Sequence, residues 1–148
     1  MDDEESTWTE AEVSSTNFPA LPKDENLIPF DVSRLSSNTF FVDAASISMG
    51  KDEVIRYTLV IKSPSGTRNI SYEGMRCTTT ERRAYAFASN NGNWSPSRRS
   101  GWQTIQGNSL NRHYAALYAS YFCPPGAEII SATAAISILR KGGIAPPP

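Results

Sequence analysis

Between residues 54 and 62 the chain reads VIRYTLVIK, with Ile55, Tyr57, Leu59 and Ile61 on one side of an extended backbone and Arg56, Thr58, Val60 and Lys62 on the other. That period of two is the pattern of a β-strand. Ser63–Gly66 (SPSG) supplies the proline and glycine of a tight turn, and TRNISYEGMRC follows with Ile70 and Tyr72 in alternation, which predicts a hairpin. Gly74 interrupts the second strand, and a β-bulge there would account for the shift of the apolar register to Met75 and Cys77. RRAYAFAS alternates again through Tyr85 and Phe87. The Asn-Gly step in Asn90–Asn93 predicts a hairpin turn, and Trp94 a return strand that Pro96 keeps short or at an edge.

Upstream, TFFVDAASISMG predicts a short strand around Phe40–Val42 followed by a turn. Downstream the period changes. Leu110, Tyr114, Leu117, Tyr118 and Tyr121 recur at helical spacing, with Ser109 or Asn108 as N-cap and Pro124-Pro125-Gly126 as terminator. A second helix is expected from about Ala127 to Lys141 with an Ile129, Thr133, Ile136, Arg140 stripe, closed at Gly142. Antiparallel strands followed by helices indicate an α+β fold: an antiparallel β-sheet meander covered on one face by one or two C-terminal helices.

Charge divides the chain. Residues 1 to 25 hold eight acidic groups against Lys23 alone, a net of minus 7, while the whole chain carries only minus 1, so the remainder is at plus 6. With the stretch FPALPKDENLIP following, the expected organisation is a flexible acidic tether over 1–26, one domain over 27–142 and a Pro-rich tail over 143–148. The MDDEE start has neither the basic nor the apolar region of a signal peptide, which leaves a cytosolic protein or one whose export segment lies upstream. The basic residues of the body are scattered apart from the pairs Arg82-Arg83 and Arg98-Arg99, and the pI is about 5.8. That is not the dense stripe of a nucleic-acid binder, and solvated strand faces are the better reading. No apolar run approaches the roughly 20 residues of a membrane span.

The chemistry on offer is sparse. One His and two Cys leave little from which to build a metal or cofactor site, and none is expected. Cys77 and Cys123 admit two readings, a reactive thiol or a single disulfide tying helix to sheet. The absence of a CxxC spacing and of a placed base favours the disulfide, and with it an oxidising compartment and an upstream export segment. His113 lies one position off the apolar stripe and is expected at the boundary or surface. Asp43, Glu73 and Glu81 form no recognisable catalytic pair, and neither GxSxG nor HExxH occurs. Asn69 and Asn93 open glycosylation triplets that have meaning only in a eukaryotic secretory setting. The helix tyrosines are expected in the core, whereas Trp94, after a turn, forms with Arg98 and Arg99 a candidate binding surface.

FFVDAASIS, VIRYTLVIKSPSGTRNISYEGMRC, ERRAYAF, Trp94, GWQTI and the closing YFC, over residues 38 to 123, together resemble the cryptic neisserial protein-like family. That is an uncharacterised family of exported proteins of Gram-negative bacteria, often with a lipoprotein-type leader. The resemblance implies a periplasmic or outer-membrane-associated location and no particular reaction. More distantly, Val42, Asp43, Ser46, Ile47, Cys77, Trp102, Ile105, Ser109 and Cys123 are similar to the pattern of surface-adhesin E-type domains. That likeness implies an antiparallel sheet with a helix and pairing of the two Cys. The favoured expectation is a non-enzymatic binding or structural module whose partners are envelope or extracellular proteins. An envelope enzyme with residues assembled only by the fold, and an adhesin-like binder, are the alternatives. An open sheet edge would also offer a route to homo-oligomers.

Overall fold

A computed structural model describes residues 8–32, 36–88, 92–99, 101–106, 112–124 and 131–144. Eight strands form one sheet: β1 (Leu27–Phe30), β2 (Thr39–Asp43), β3 (Ser48–Met49), β4 (Val54–Lys62), β5 (Arg68–Arg76), β6 (Glu81–Ala88), β7 (Trp94–Pro96) and β8 (Gln103–Thr104). The spatial order is β1-β2-β4-β5-β6-β7, every pair antiparallel, with β3 sharing the β2 side of β4 and β8 the β7 side of β6. The α+β meander therefore stands. β4 and β5 pair over their full lengths from Val54↔Arg76 to Lys62↔Arg68, and Gly66, at φ +92°, closes the turn.

Between β2 and β3 the chain makes a single helical turn at Ala44–Ser46, and β4 would lose ladder partners there. Asp43 caps the turn by accepting from the Ala45 N–H at 3.0 Å, and the Ser46 hydroxyl accepts from the Thr58 N–H at 2.9 Å. Thr58 lies between the last β2 pair, at Leu59, and the first β3 pair, at Arg56. Ser46 thus satisfies a buried donor that no strand reaches, so Val42, Asp43, Ser46 and Ile47 act as scaffold.

The expected bulge exists, but on the neighbouring strand. Tyr72 pairs with Ala86 and Glu73 with Ala84, which leaves Tyr85 as the extra residue of β6. Gly74 is required by close approach: a Cβ there would stand 2.5 Å from the Tyr85 hydroxyl and 3.0 Å from Val54 Cγ1.

On one face, Ile55, Tyr57, Leu59 and Met75 pack with Phe30, Phe40 and Val42 beneath two helices. The first, α1, spans Arg112–Ala116 and continues through Leu117–Phe122 in widened turns, with Cys123 N–H donating to Tyr118 O five residues back. The widening turns both Tyr121 and Phe122 inward with Tyr114 and Leu117, and leaves Tyr118 half-buried. The expected caps Asn108 and Ser109 lie outside the described residues. His113 is a correction to the boundary position: it is 8% exposed and stacks on Phe40 at 5.2 Å between ring centres.

The second helix, α2, spans Ala132–Lys141, capped by Ser131 accepting from the Ala134 N–H and ended by Gly142 at φ +89°. The expected start near Ala127 lies outside the described residues. Its inward residues are Ala135 and Leu139, and Thr133 and Arg140 of the expected stripe are exposed. No described helix is long and apolar enough to cross a membrane.

The other face is crossed by part of the segment expected as a tether. Residues 8–26 run across it, with Phe18, Leu21 and Val13 against Tyr72, Tyr85, Trp94 and the Val60–Ile70 cluster. Arg56, Thr58 and Val60, expected on a solvated face, are buried. A strap over a sheet that would otherwise expose aromatic rings removes apolar area from water, which a free tether does not.

Cys77 and Cys123 form a disulfide with their Cα atoms 5.4 Å apart, joining the end of β5 to the end of α1. Both edge strands are short and carry a proline, Pro29 in β1 and Pro96 in β7, each removing one ladder donor.

Unreduced, denatured protein should accordingly titrate no free thiol, and the double variant Cys77→Ala/Cys123→Ala should lose about 4 kcal/mol in denaturant unfolding on the chain-entropy relation for a loop of this length. Gly74→Ala should cost roughly 1–3 kcal/mol from overpacking, and a Tyr85→Phe background should reduce that cost by removing the nearest clashing atom.

Candidate functional site

Four elements converge where the strap crosses β4 and β6. The bulge at Tyr85 turns its ring toward the strap face beside Arg83 of the same strand, β4 supplies Arg56, and Trp102 comes from the segment before β8. The strap delivers Glu10. One carboxylate oxygen accepts from Arg83 Nη1 at 2.5 Å and from Trp102 Nε1 at 3.2 Å. The other accepts from Arg56 Nη2 at 3.1 Å and from the Tyr85 hydroxyl. Two guanidiniums, a phenol and an indole thus meet a single carboxylate that is only 13% exposed. Charge-assisted bonds of this kind are roughly twice as strong as neutral ones.

Neighbours hold these donors in place. Asp52 takes Arg56 at 2.7 Å and also accepts from the Ala11 N–H of the strap at 2.8 Å. Burial alone would raise the Asp52 pKa, but the hydrogen bonds from Arg56 and Ala11 outweigh it and keep the carboxyl ionised. Burial likewise works against the Arg56 charge, and Asp52, Tyr85 and Glu10 together overcome it. Burial, then the bond to Glu10, push the Tyr85 hydroxyl well up, so it remains a donor. Trp8 packs under the Arg76 guanidinium at 3.6 Å, meets Trp102 edge-on and donates to the Asp52 carbonyl at 2.9 Å. Beside Glu10 a shallow cavity of about 210 Å³ opens, lined by Glu10, Ala11, Glu12, Val13, Arg83 and Tyr85.

A second polar cluster lies under the helices. Glu73 is 1% exposed and accepts from Tyr57 at 3.0 Å, Ser71 at 2.7 Å and Tyr114 at 2.7 Å. Burial raises its pKa against the lowering effect of those three hydroxyls. Burial, then Glu73, raise Tyr57 and Tyr114 in turn. Arg82 stacks over the Tyr114 ring at 4.1 Å, and His113, desolvated and near Arg82, falls to about 4. Sealed from solvent, this network joins α1 to β4 and β5 and presents nothing to a substrate.

Of the residues singled out from the sequence, Cys77 and Cys123 come together in the disulfide. The Trp94 ring is partly exposed, flanked by Phe18 and Tyr72, and its N–H donates to the Pro19 carbonyl at 2.8 Å, while Arg98 and Arg99 are exposed. Asp43, Glu73 and Glu81 do not meet: Asp43 caps a turn, Glu73 is buried, and Glu81 pairs with Arg76 at 3.8 Å. Among the described residues no three His, Cys, Asp or Glu side chains gather as metal ligands. Sequence reasoning missed Glu10, Arg56, Arg83, Tyr85 and Trp102. A signal existed in Arg56, a charge within a largely apolar strand, but of its two carboxylate partners only Asp52 is near in sequence and Glu10 stands 46 residues away.

A family model described as the CNP1-like family matches residues 3–140, well beyond the span of 38 to 123 and inclusive of the strap. No curated protein and no solved structure matches.

Two of the buried titrating groups, His113 and Glu73, give opposite pH slopes. For His113 the folded pKa is depressed, so its contribution is complete above the unfolded value of 6.5 and is lost as the pH falls through about 4. That loss should amount to about 3 kcal/mol in chemical denaturation, and His113→Leu should flatten this limb. For Glu73 the folded pKa is raised, so stability is full below 4.5 and declines as the pH rises through the folded value. Glu73→Gln should flatten that decline, whereas an unchanged profile would show that Glu73 is not the group responsible.

Proposed function

The chain belongs to the CNP1-like family, a family with no assigned reaction, and from that premise we propose that it is an exported binding module of the cell envelope, periplasmic or outer-membrane-associated. The observation that carries the location is the Cys77–Cys123 disulfide, which staples the helical layer to the sheet. Such bonds form and persist in oxidising compartments and are rare where glutathione and thioredoxin keep thiols reduced.

Binding rather than chemistry is supported by where the charged groups stand. Glu73 and His113 are consumed in holding the core, while the Arg56–Arg83–Tyr85–Trp102 donors are gathered around an anion at the surface side of the sheet. Donors that converge on a carboxylate recognise a partner by charge and geometry without any group positioned to break a bond.

Expressed from its natural reading frame, the protein should appear in the osmotic-shock or outer-membrane fraction with both cysteines oxidised. Recovery in the cytosol with two free thiols would sink the envelope assignment.

A further inference from the structure

The strap is held unlike any other part of the molecule. Residues 8–23 contribute no strand to the sheet, and none of residues 8–26 is fully buried. Its attachments are separate anchors: Trp8 at Asp52 and Arg76, Glu10 among its four donors, and Phe18 between Tyr72 and Trp94 at about 6 Å from each ring. A segment held on a sheet face at discrete anchors, with one helical turn at Ser15–Asn17 between them, is held as a bound peptide is, and detaching it breaks no ladder.

Nor does Glu10 saturate the site it fills. Arg83 gives it only Nη1, while the buried Arg83 Nε has no hydrogen-bond partner, although a guanidinium and a carboxylate can form two parallel bonds. An unpartnered buried donor costs free energy that a carboxylate seated across the Nε–Nη2 edge of the guanidinium would recover. The cavity beside Glu10 is bounded by Arg83 and Tyr85 on the sheet side.

We propose that this face is a binding site for an acidic peptide of a partner protein, with one carboxylate seated between Arg56 and Arg83 and an aromatic side chain in the Tyr72–Trp94 slot, and that residues 8–18 occupy it in cis as a displaceable strap. The occupant's chemistry is taken from the strap itself, an acidic segment with its anchoring carboxylate and ring at Glu10 and Phe18 on either side of a single turn. The proposal rests on the binding-module reading and gives that module its ligand class.

The test uses the full oxidised chain and, as probe, a fluorescein-labelled peptide carrying residues 8–20. Glu10→Ala/Phe18→Ala, which loosens the strap at two anchors, should bind the peptide about tenfold or more tightly than the unaltered chain, the strength expected of one lost charge-assisted contact in the competing strap. Replacing Glu10 by Gln in the peptide, or adding Arg83→Leu to the opened chain, should abolish that gain. Equal binding by both chains, or indifference to the carboxylate, overturns the proposal.

If the opened variant fails to fold, Glu10→Ala alone is melted in propionate. A saturable rise in Tm that is absent in chloride of equal ionic strength and absent with Arg83→Leu supports a carboxylate site; identical melting in the two salts overturns it. Light scattering of the unaltered chain over a range of concentrations separates the sources of the peptide. A monomer supports a partner protein, while a concentration-dependent dimer lost on Glu10→Ala would assign the site to a second copy's strap and overturn the partner assignment. Fractionation and peptide binding fail independently: a cytosolic protein that binds the peptide sinks the location alone, and an envelope protein that does not sinks this proposal alone.

Discussion

Strand β4 is buried from Val54 through Val60, so neither of its faces meets water, and the remaining architecture is organised by the need to cover both. On the side of Ile55, Tyr57 and Leu59 the cover is helical, and the disulfide fixes the end of α1 to the end of β5 there. The side of Arg56, Thr58 and Val60 is harder to cover, because a guanidinium must be desolvated together with apolar neighbours. An unpaired buried charge is far too costly to persist, so whatever lies on that face has to bring carboxylates to it. Asp52 and Glu10 are those carboxylates, and the strap is the means by which Glu10 arrives.

This gives the charge asymmetry a structural meaning. Residues 8–26 and the basic body meet through Glu10 with Arg56 and Arg83, and through Asp24 with Arg68 at 2.6 Å. The two contacts differ in weight. Asp24 is largely exposed and its pair is screened by water, whereas Glu10 sits among buried donors and positions the strap. The bulge at Tyr85 belongs to the same arrangement: one extra residue in β6 turns a phenol toward Glu10, and Gly74 gives up its side chain to make room.

Much of the fold was legible because its signals are local. The β4–β5 hairpin rests on period-two alternation and a Pro-Gly turn, and the end of α2 on Arg140-Lys141-Gly142, all within a few residues of one another. Where local signals misled, a distant contact had prevailed. His113 looked peripheral because a helical wheel does not show Phe40 across the core, and the α2 stripe was misassigned because Ala135 is small enough to be overlooked yet allows close approach to the sheet. Strand β1 was obscured by Pro29, which an edge strand tolerates.

By itself, then, the sequence determined the order of the longer central strands and the helices, the α+β class and the favoured pairing of its two cysteines, since backbone periodicity, turn chemistry and the lack of alternative thiol chemistry are properties of neighbouring residues or of composition. Only the tertiary structure decided that residues 8–26 lie across the second face of the sheet, and that Arg56, Arg83, Tyr85 and Trp102 share the Glu10 carboxylate. Glu10 stands 92 positions from Trp102 along the chain. Nothing in local propensity links an acid near the start to an arginine in a central strand; the link arises because a folded sheet has a second face, and burying a charge on that face demands a counter-charge from wherever the chain can supply it.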